Sequence, residues 1–124
     1  MGDQMKKLYV TALAAALVLA GAPAMAKGPG KYTVKGTNSA DKSTYTGTAT
    51  ITKTGEDSYR IVSVIGDDKF DGYAIGDDDL LAVTFSGGGN SSVALYVAQP
   101  DGSYNAVWAF KGDKKVSTET LTPR

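Results

Sequence analysis

The nine residues "TYTGTATIT", Thr44 to Thr52, change character at every step. Tyr45, Gly47, Ala49 and Ile51 fall on one side of an extended chain, and the five threonines fall on the other. A helix has no use for such a pattern, because its faces repeat about every 3.6 residues. A strand with one buried face does. The same period predicts strands over Lys31–Thr37, Thr44–Thr52, Ser58–Ile65, Lys69–Ile75, Leu80–Ser86, Ser92–Ala98, Ser103–Phe110 and Lys115–Leu121. No segment after Lys27 carries a helical stripe. The breaks between strands, "TNSADK", "TGED", "GDD", "GDDD", "SGGGNS", "PDG" and "KGDK", carry turn chemistry, and all are short. Short links join antiparallel neighbours, since a parallel crossover needs about a dozen residues or more.

Eight strands in chain order make an all-β antiparallel up-and-down meander. Left flat, it would expose two long unpaired edges in a chain rich in β-branched residues. Closing the first strand onto the last removes both, so the expected fold is a small barrel, with a two-sheet sandwich as the alternative. The chain has no cysteine and cannot be stapled by disulfides. Its apolar core and strand pairing must suffice, which favours a closed sheet.

The first 26 residues read differently. Lys6 and Lys7 precede the apolar run "LYVTALAAALVLAGAPAMA", which ends in Ala24-Met25-Ala26. That is the form of a secretory signal peptide, with cleavage expected after Ala26. A retained membrane anchor is the competing reading, against which Gly21, Pro23 and the Ala-rich end argue. The expected division is a signal peptide over 1–26 and a single barrel domain over 27–124, in the periplasm or secreted. Of 13 basic and 13 acidic residues, Lys6, Lys7 and Asp3 precede Lys27, which leaves a net charge of −1 on the remainder. With no basic patch, neither nucleic acid nor an anionic membrane surface is an expected partner.

Ile65-Gly66-Asp67-Asp68 returns as Ile75-Gly76-Asp77-Asp78, followed by Asp79. The repeat is one strand plus one turn, so the two acidic clusters belong at opposite ends of the sheet, about 20 Å apart. They cannot share an ion, and the loop spacing of a calcium site is absent. Turn tips are the better account, and no metal or cofactor is expected. Without histidine or cysteine, His-based triads, thiol nucleophiles and the usual zinc sites are excluded. Carboxylate pairs remain for glycoside chemistry. Asp71, out of phase with Phe70 and Gly72, and Glu119, between two threonines, both read as solvated strand residues. "SGGGNSS" is followed by strand rather than helix, so it is a loop and not a phosphate cradle. A non-enzymatic role is therefore expected.

Tyr32, Tyr45, Tyr59, Phe70, Tyr104, Trp108 and Phe110 fall on the interior phase, together with the small residues Gly36, Gly47, Ser63, Gly72 and Ala106. Packing of large against small accounts for this set. The alternative is a pocket for a small apolar or aromatic molecule, with Tyr45, Ser63, Tyr104 and Trp108 as its candidate ligand-binding residues.

Tyr32-x-Val34-x-Gly36-Thr37-Asn38, Tyr45-x-Gly47-x-x-x-Ile51-x-x-x-Gly55, Tyr59-x-Ile61 and Phe70-x-Gly72 resemble a family of small exported bacterial β proteins. Leu81-Ala82-Val83, Tyr96, Asp101-Gly102, Trp108 and Thr118-Glu119 extend the resemblance over nearly all of 27–124. The chain departs from it at Ser63, where an aromatic is common, and at Ala106, where glycine is common. Some members carry a fibronectin-binding label, so the resemblance implies an adhesin; the alternative function is a surface protein–protein module of that kind or an enzyme inhibitor. Avidin-type and protease-inhibitor barrels are similar in strand pattern only. Alternation also places Val62, Val64, Tyr73, Ile75, Leu80 and Ala82 outside, as a candidate apolar interface. A homodimer, or docking of a partner or of the chain's own C-terminal segment, is expected there.

Overall fold

The computed structural model describes residues 26–87 and 89–124, so the expected signal peptide lies outside the described residues except for Ala26. Eight antiparallel strands form one closed barrel. They are β1 (Gly30–Thr37), β2 (Thr44–Lys53), β3 (Ser58–Ile65), β4 (Asp68–Gly76), β5 (Leu80–Gly87), β6 (Asn90–Ala98), β7 (Tyr104–Phe110) and β8 (Ser117–Pro123). Each pairs with the next in chain order, and β1 pairs with β8 from Tyr32↔Pro123 to Thr37↔Thr118. The meander therefore closes and leaves no sheet edge. No sandwich forms. The C-terminal segment is spent as β8, between β7 and β1, so it is not the element that covers the outer wall.

Alternation decides which side chains go inside. Tyr32, Val34, Ala49, Ile51, Tyr59, Ile61, Ala74, Leu81, Val83, Ala94, Tyr96, Tyr104, Ala106 and Leu121 are buried and form one cluster. The threonines of β2 face out, as the spacing predicts. Where the observed strands differ from the expected ones, the shifts are at the ends. The largest is β8, which starts two residues later and runs on to Pro123.

The two ends of the barrel are built differently. At the end where β1 begins, four tyrosines on the inner face crowd together, with Tyr32 and Tyr96 each 5.8 Å from Tyr104, centroid to centroid. A strap, Ala26 to Pro29, crosses this end and is tied down by those same phenols. The Gly28 N–H donates to Tyr104 Oη (2.6 Å), and Tyr32 Oη donates to the Gly28 carbonyl (2.7 Å). Tyr104 Oη in turn donates to the Asp78 carbonyl (2.7 Å), and Tyr59 Oη donates to Asp78 Oδ1 (2.7 Å). Gly28 is buried at φ +87°, and a Cβ there would run into the Asp78 carboxylate. Only glycine suits that position.

The second acidic repeat is now accounted for residue by residue. Asp77 Oδ1 accepts the N–H groups of Asp79 and Leu80 and shapes the turn, Asp78 clasps the tyrosines, and Asp79 pairs with Lys27 (2.7 Å). The first repeat, Gly66-Asp67, turns β3 into β4 at the opposite end, as a meander requires.

Tyr104→Phe would leave the Gly28 N–H without its acceptor and the Asp78 carbonyl without its donor. It should lower unfolding free energy by about 2 kcal/mol. Tyr73→Phe, on the outer face, should cost nothing measurable. Urea unfolding of the two variants checks this, provided the denaturant slope stays unchanged.

Candidate ligand pocket at the open end

At the other end of the barrel the interior is not filled. A cavity of about 230 Å3 opens among Tyr45, Ser63, Phe70, Phe85, Trp108 and Glu119, with Asn38 and Asp68 at its rim. Its position follows from strand direction. Odd strands run toward this end and even strands away from it, so the end of β7 (Trp108, Phe110) meets the start of β2 (Tyr45) and of β4 (Phe70).

One row of paired residues explains why space remains. Tyr45, Gly36, Glu119, Ala106 and Tyr96 are successive cross-strand partners on β2, β1, β8, β7 and β6. Two of the five have little or no side chain. The Tyr45 ring lies across Gly36, where any Cβ would overlap it. In that position its hydroxyl accepts the Trp108 indole Nε1–H (2.7 Å), and Trp108 packs edge-on against Phe110, centroids 5.1 Å apart. Glycine at position 36 thus sets the aromatic wall of the pocket.

Two polar groups in this apolar chamber lack partners. Ser63 is 5% exposed, and its Oγ has no hydrogen-bond partner. Glu119 projects inward between Gly36 and Ala106 and, among the described residues, makes no hydrogen bond or ion pair. Burial alone pushes its carboxyl up to about 7. The Tyr96 hydroxyl lies near both groups. Its own titration is raised well above the ordinary phenol, first by burial, then by the Glu119 carboxylate, with the Ser63 hydroxyl, near it but not aligned for a good hydrogen bond, opposing. Tyr45 is raised for the same two reasons, with the Trp108 hydrogen bond opposing.

Of the four expected pocket residues, Tyr45, Ser63 and Trp108 are brought together here. Tyr104 is not with them. It sits at the strapped end with its hydroxyl fully engaged. Glu119, expected to face solvent, faces the pocket instead, because its strand turns the same face inward as Leu121, which is fully buried. Asp71 does face out, where Arg60 holds it in a two-pronged pair at 3.0 Å. Among the described residues no three His, Cys, Asp or Glu side chains are grouped to hold a metal ion.

On the outer wall, Tyr73, Ile75, Leu80 and Ala82 are exposed and adjacent across β4 and β5. Val62 and Val64 lie apart from them, since their partners on β4 are Asp71 and Lys69. The apolar surface extends the other way, through Leu95, Val97 and Val107 on β6 and β7. No family profile matches the chain, and no curated protein matches it in sequence.

Because folded Glu119 titrates near 7 and an unconstrained glutamate near 4.5, the native state holds the extra proton between those values. Its contribution to stability falls as pH rises from about 4.5 to 7 and is flat above. Glu119→Gln should remove this slope. It should be more stable than the parent by roughly 1–3 kcal/mol at pH 8, and the two should converge at pH 4. Thermal melts across that range measure the difference.

Proposed function

We propose that this chain is an exported, non-enzymatic binding protein that holds a small apolar or aromatic molecule in the open end of its barrel. The observation that carries this reading is the unfilled aromatic chamber, against which the Ser63 Oγ is buried without a hydrogen bond of good geometry. A polar atom buried without a partner costs about 1–3 kcal/mol, and a bound molecule that completes its hydrogen bonding recovers that. An eight-stranded barrel has an interior just wide enough for side chains or for one small ligand. Here the strapped end takes the first course and the open end the second. The lysine pair, apolar run and Ala24-Met25-Ala26 end support export, as does the resemblance to small exported bacterial β proteins. Neither a nucleic acid nor a cofactor is part of this reading.

A native mass spectrum of protein recovered from the exported fraction tests both parts. The polypeptide mass should correspond to Lys27–Arg124, and excess mass lost on gentle activation should report a bound small molecule. Ala94→Leu, which fills the chamber from β6, should abolish that excess. A chain that keeps Leu8 to Ala20, or a parent that binds no more than the filled variant, overturns the respective part.

The outer wall favours a second reading, a homodimer. Ile75, Ala82, Leu95 and Val107 are successive cross-strand partners across four strands and form an uncharged row. Tyr73 and Leu80 flank it and are at least half exposed. Contiguous apolar surface of this kind marks interfaces, and a twofold pairing buries the same patch on both copies. Sedimentation should report a dimer for the parent and a monomer for Tyr73→Lys combined with Leu95→Lys. A parent that is strictly monomeric sinks this reading.

A further inference from the structure

The pocket's lining narrows the chemistry of what it takes, given the reading above that the open end is a small-molecule site. Its ionisable side chains are Asp68, at the rim, and Glu119, within, alongside the tyrosine phenol. Among the described residues no lysine or arginine lines it. An anion would enter against like charge and meet no cation. A neutral apolar molecule would leave the Glu119 carboxylate and Ser63 Oγ as they are. A cation meets acidic groups and, around them, Tyr45, Phe70, Phe85, Trp108 and Phe110, whose ring faces attract positive charge.

The size of the occupant follows from the volume. About 230 Å3 is more than the ~150 Å3 that holds a benzene and less than the ~300 Å3 at which pockets for larger organic ligands begin. One ring with a short arm fits. The kind of nitrogen follows from the unpaired oxygens. A quaternary ammonium has no N–H to give, whereas a primary or secondary ammonium donates to a carboxylate and a hydroxyl at once. We propose that the ligand is a primary or secondary amine of single-ring size, its ammonium paired with Glu119 and Ser63 Oγ and its ring among Trp108, Phe70 and Phe85.

The arrangement favours capture because the fold has already withdrawn the Glu119 carboxyl from much of its solvent, so less water remains to be stripped from it than from an exposed partner. The groups facing Glu119 do not compete for it. Gly36 of β1 and Ala106 of β7 carry no polar side chain, Tyr45 of β2 and Tyr96 of β6 stay neutral below pH 9, and Asp68 of β4 lies at the rim. Amine binding should therefore weaken as Glu119 takes up its proton below neutral pH.

Four probes of one ring size decide the matter by calorimetry on the Lys27–Arg124 protein at pH 8: 2-phenylethylamine, its N,N,N-trimethyl analogue, 2-phenylethanol and 3-phenylpropionate. The amine should bind about tenfold more tightly than the alcohol and the trimethyl analogue. The carboxylate should not bind. Glu119→Gln should cost the amine about tenfold and leave the alcohol within about twofold, while Ser63→Ala should cost the amine a few-fold. Amine affinity should also drop from pH 8 to pH 5. If the alcohol or the carboxylate matches the amine, or if Glu119→Gln leaves amine binding unchanged, the cation assignment is overturned while the pocket stands as a binding site. If none of the four binds and the native mass spectrum shows no retained molecule, the small-molecule reading falls with it.

Discussion

The pairing of β1 with β8 is the constraint on which the rest of the molecule depends. Once the ring is closed, strand number fixes the diameter, and the inner face has a set volume to fill. Four large phenols on the inner face near the strapped end, with Ile51, Leu81 and Leu121, use up that volume. Toward the other end the inner positions include Gly36, Gly47, Ser63 and Ala94, and even five aromatic rings do not close the gap. The chamber is a consequence of side-chain size along a tube of constant bore.

The same contrast holds for polar groups. The hydroxyls of Tyr32, Tyr59 and Tyr104 reach carbonyls, N–H groups or a carboxylate, so the strapped end gains stability from its buried oxygens. At the open end Ser63 is buried without a hydrogen bond of good geometry, and Glu119 is half-buried with no hydrogen bond or ion pair among the described residues. Folding has to carry that cost, and a chain selected for stability alone would place alanine and leucine there. Unpaired polar atoms in an otherwise well-satisfied interior call for an explanation, and the binding role proposed above supplies one.

Period-2 alternation made the eight strands and their inward faces legible, and the need to hide two edges made the barrel legible. It conveys which face a residue takes but not how far along the barrel it lies. Tyr45, Trp108 and Tyr104 share the interior phase, yet Tyr104 opens β7 and Trp108 nearly ends it, which puts them at opposite ends. Counting residues within alternately directed strands would have separated them. Glu119 was obscured by its threonine neighbours. The signal that places it inside is Leu121 two residues on, the one large apolar residue in its strand. Alternation alone sets the outer wall on β3 to β5, whereas the outward valines and leucine of β6 and β7 extend it two strands further and place it on β4 to β7.

Ring closure also dictates the order of events in time. Hairpins between successive strands can form as soon as both strands exist, within microseconds. The seam that joins Gly36 to Glu119 is different, since it brings together the first strand and the last. Every other pairing can be in place while β1 and β8 still present open backbone, and no native barrel exists until the final strand has arrived. Contacts so distant in sequence are slower to form than the hairpins. For the export proposed above such a delay has a use, because a barrel without β8 cannot lock before that strand has crossed.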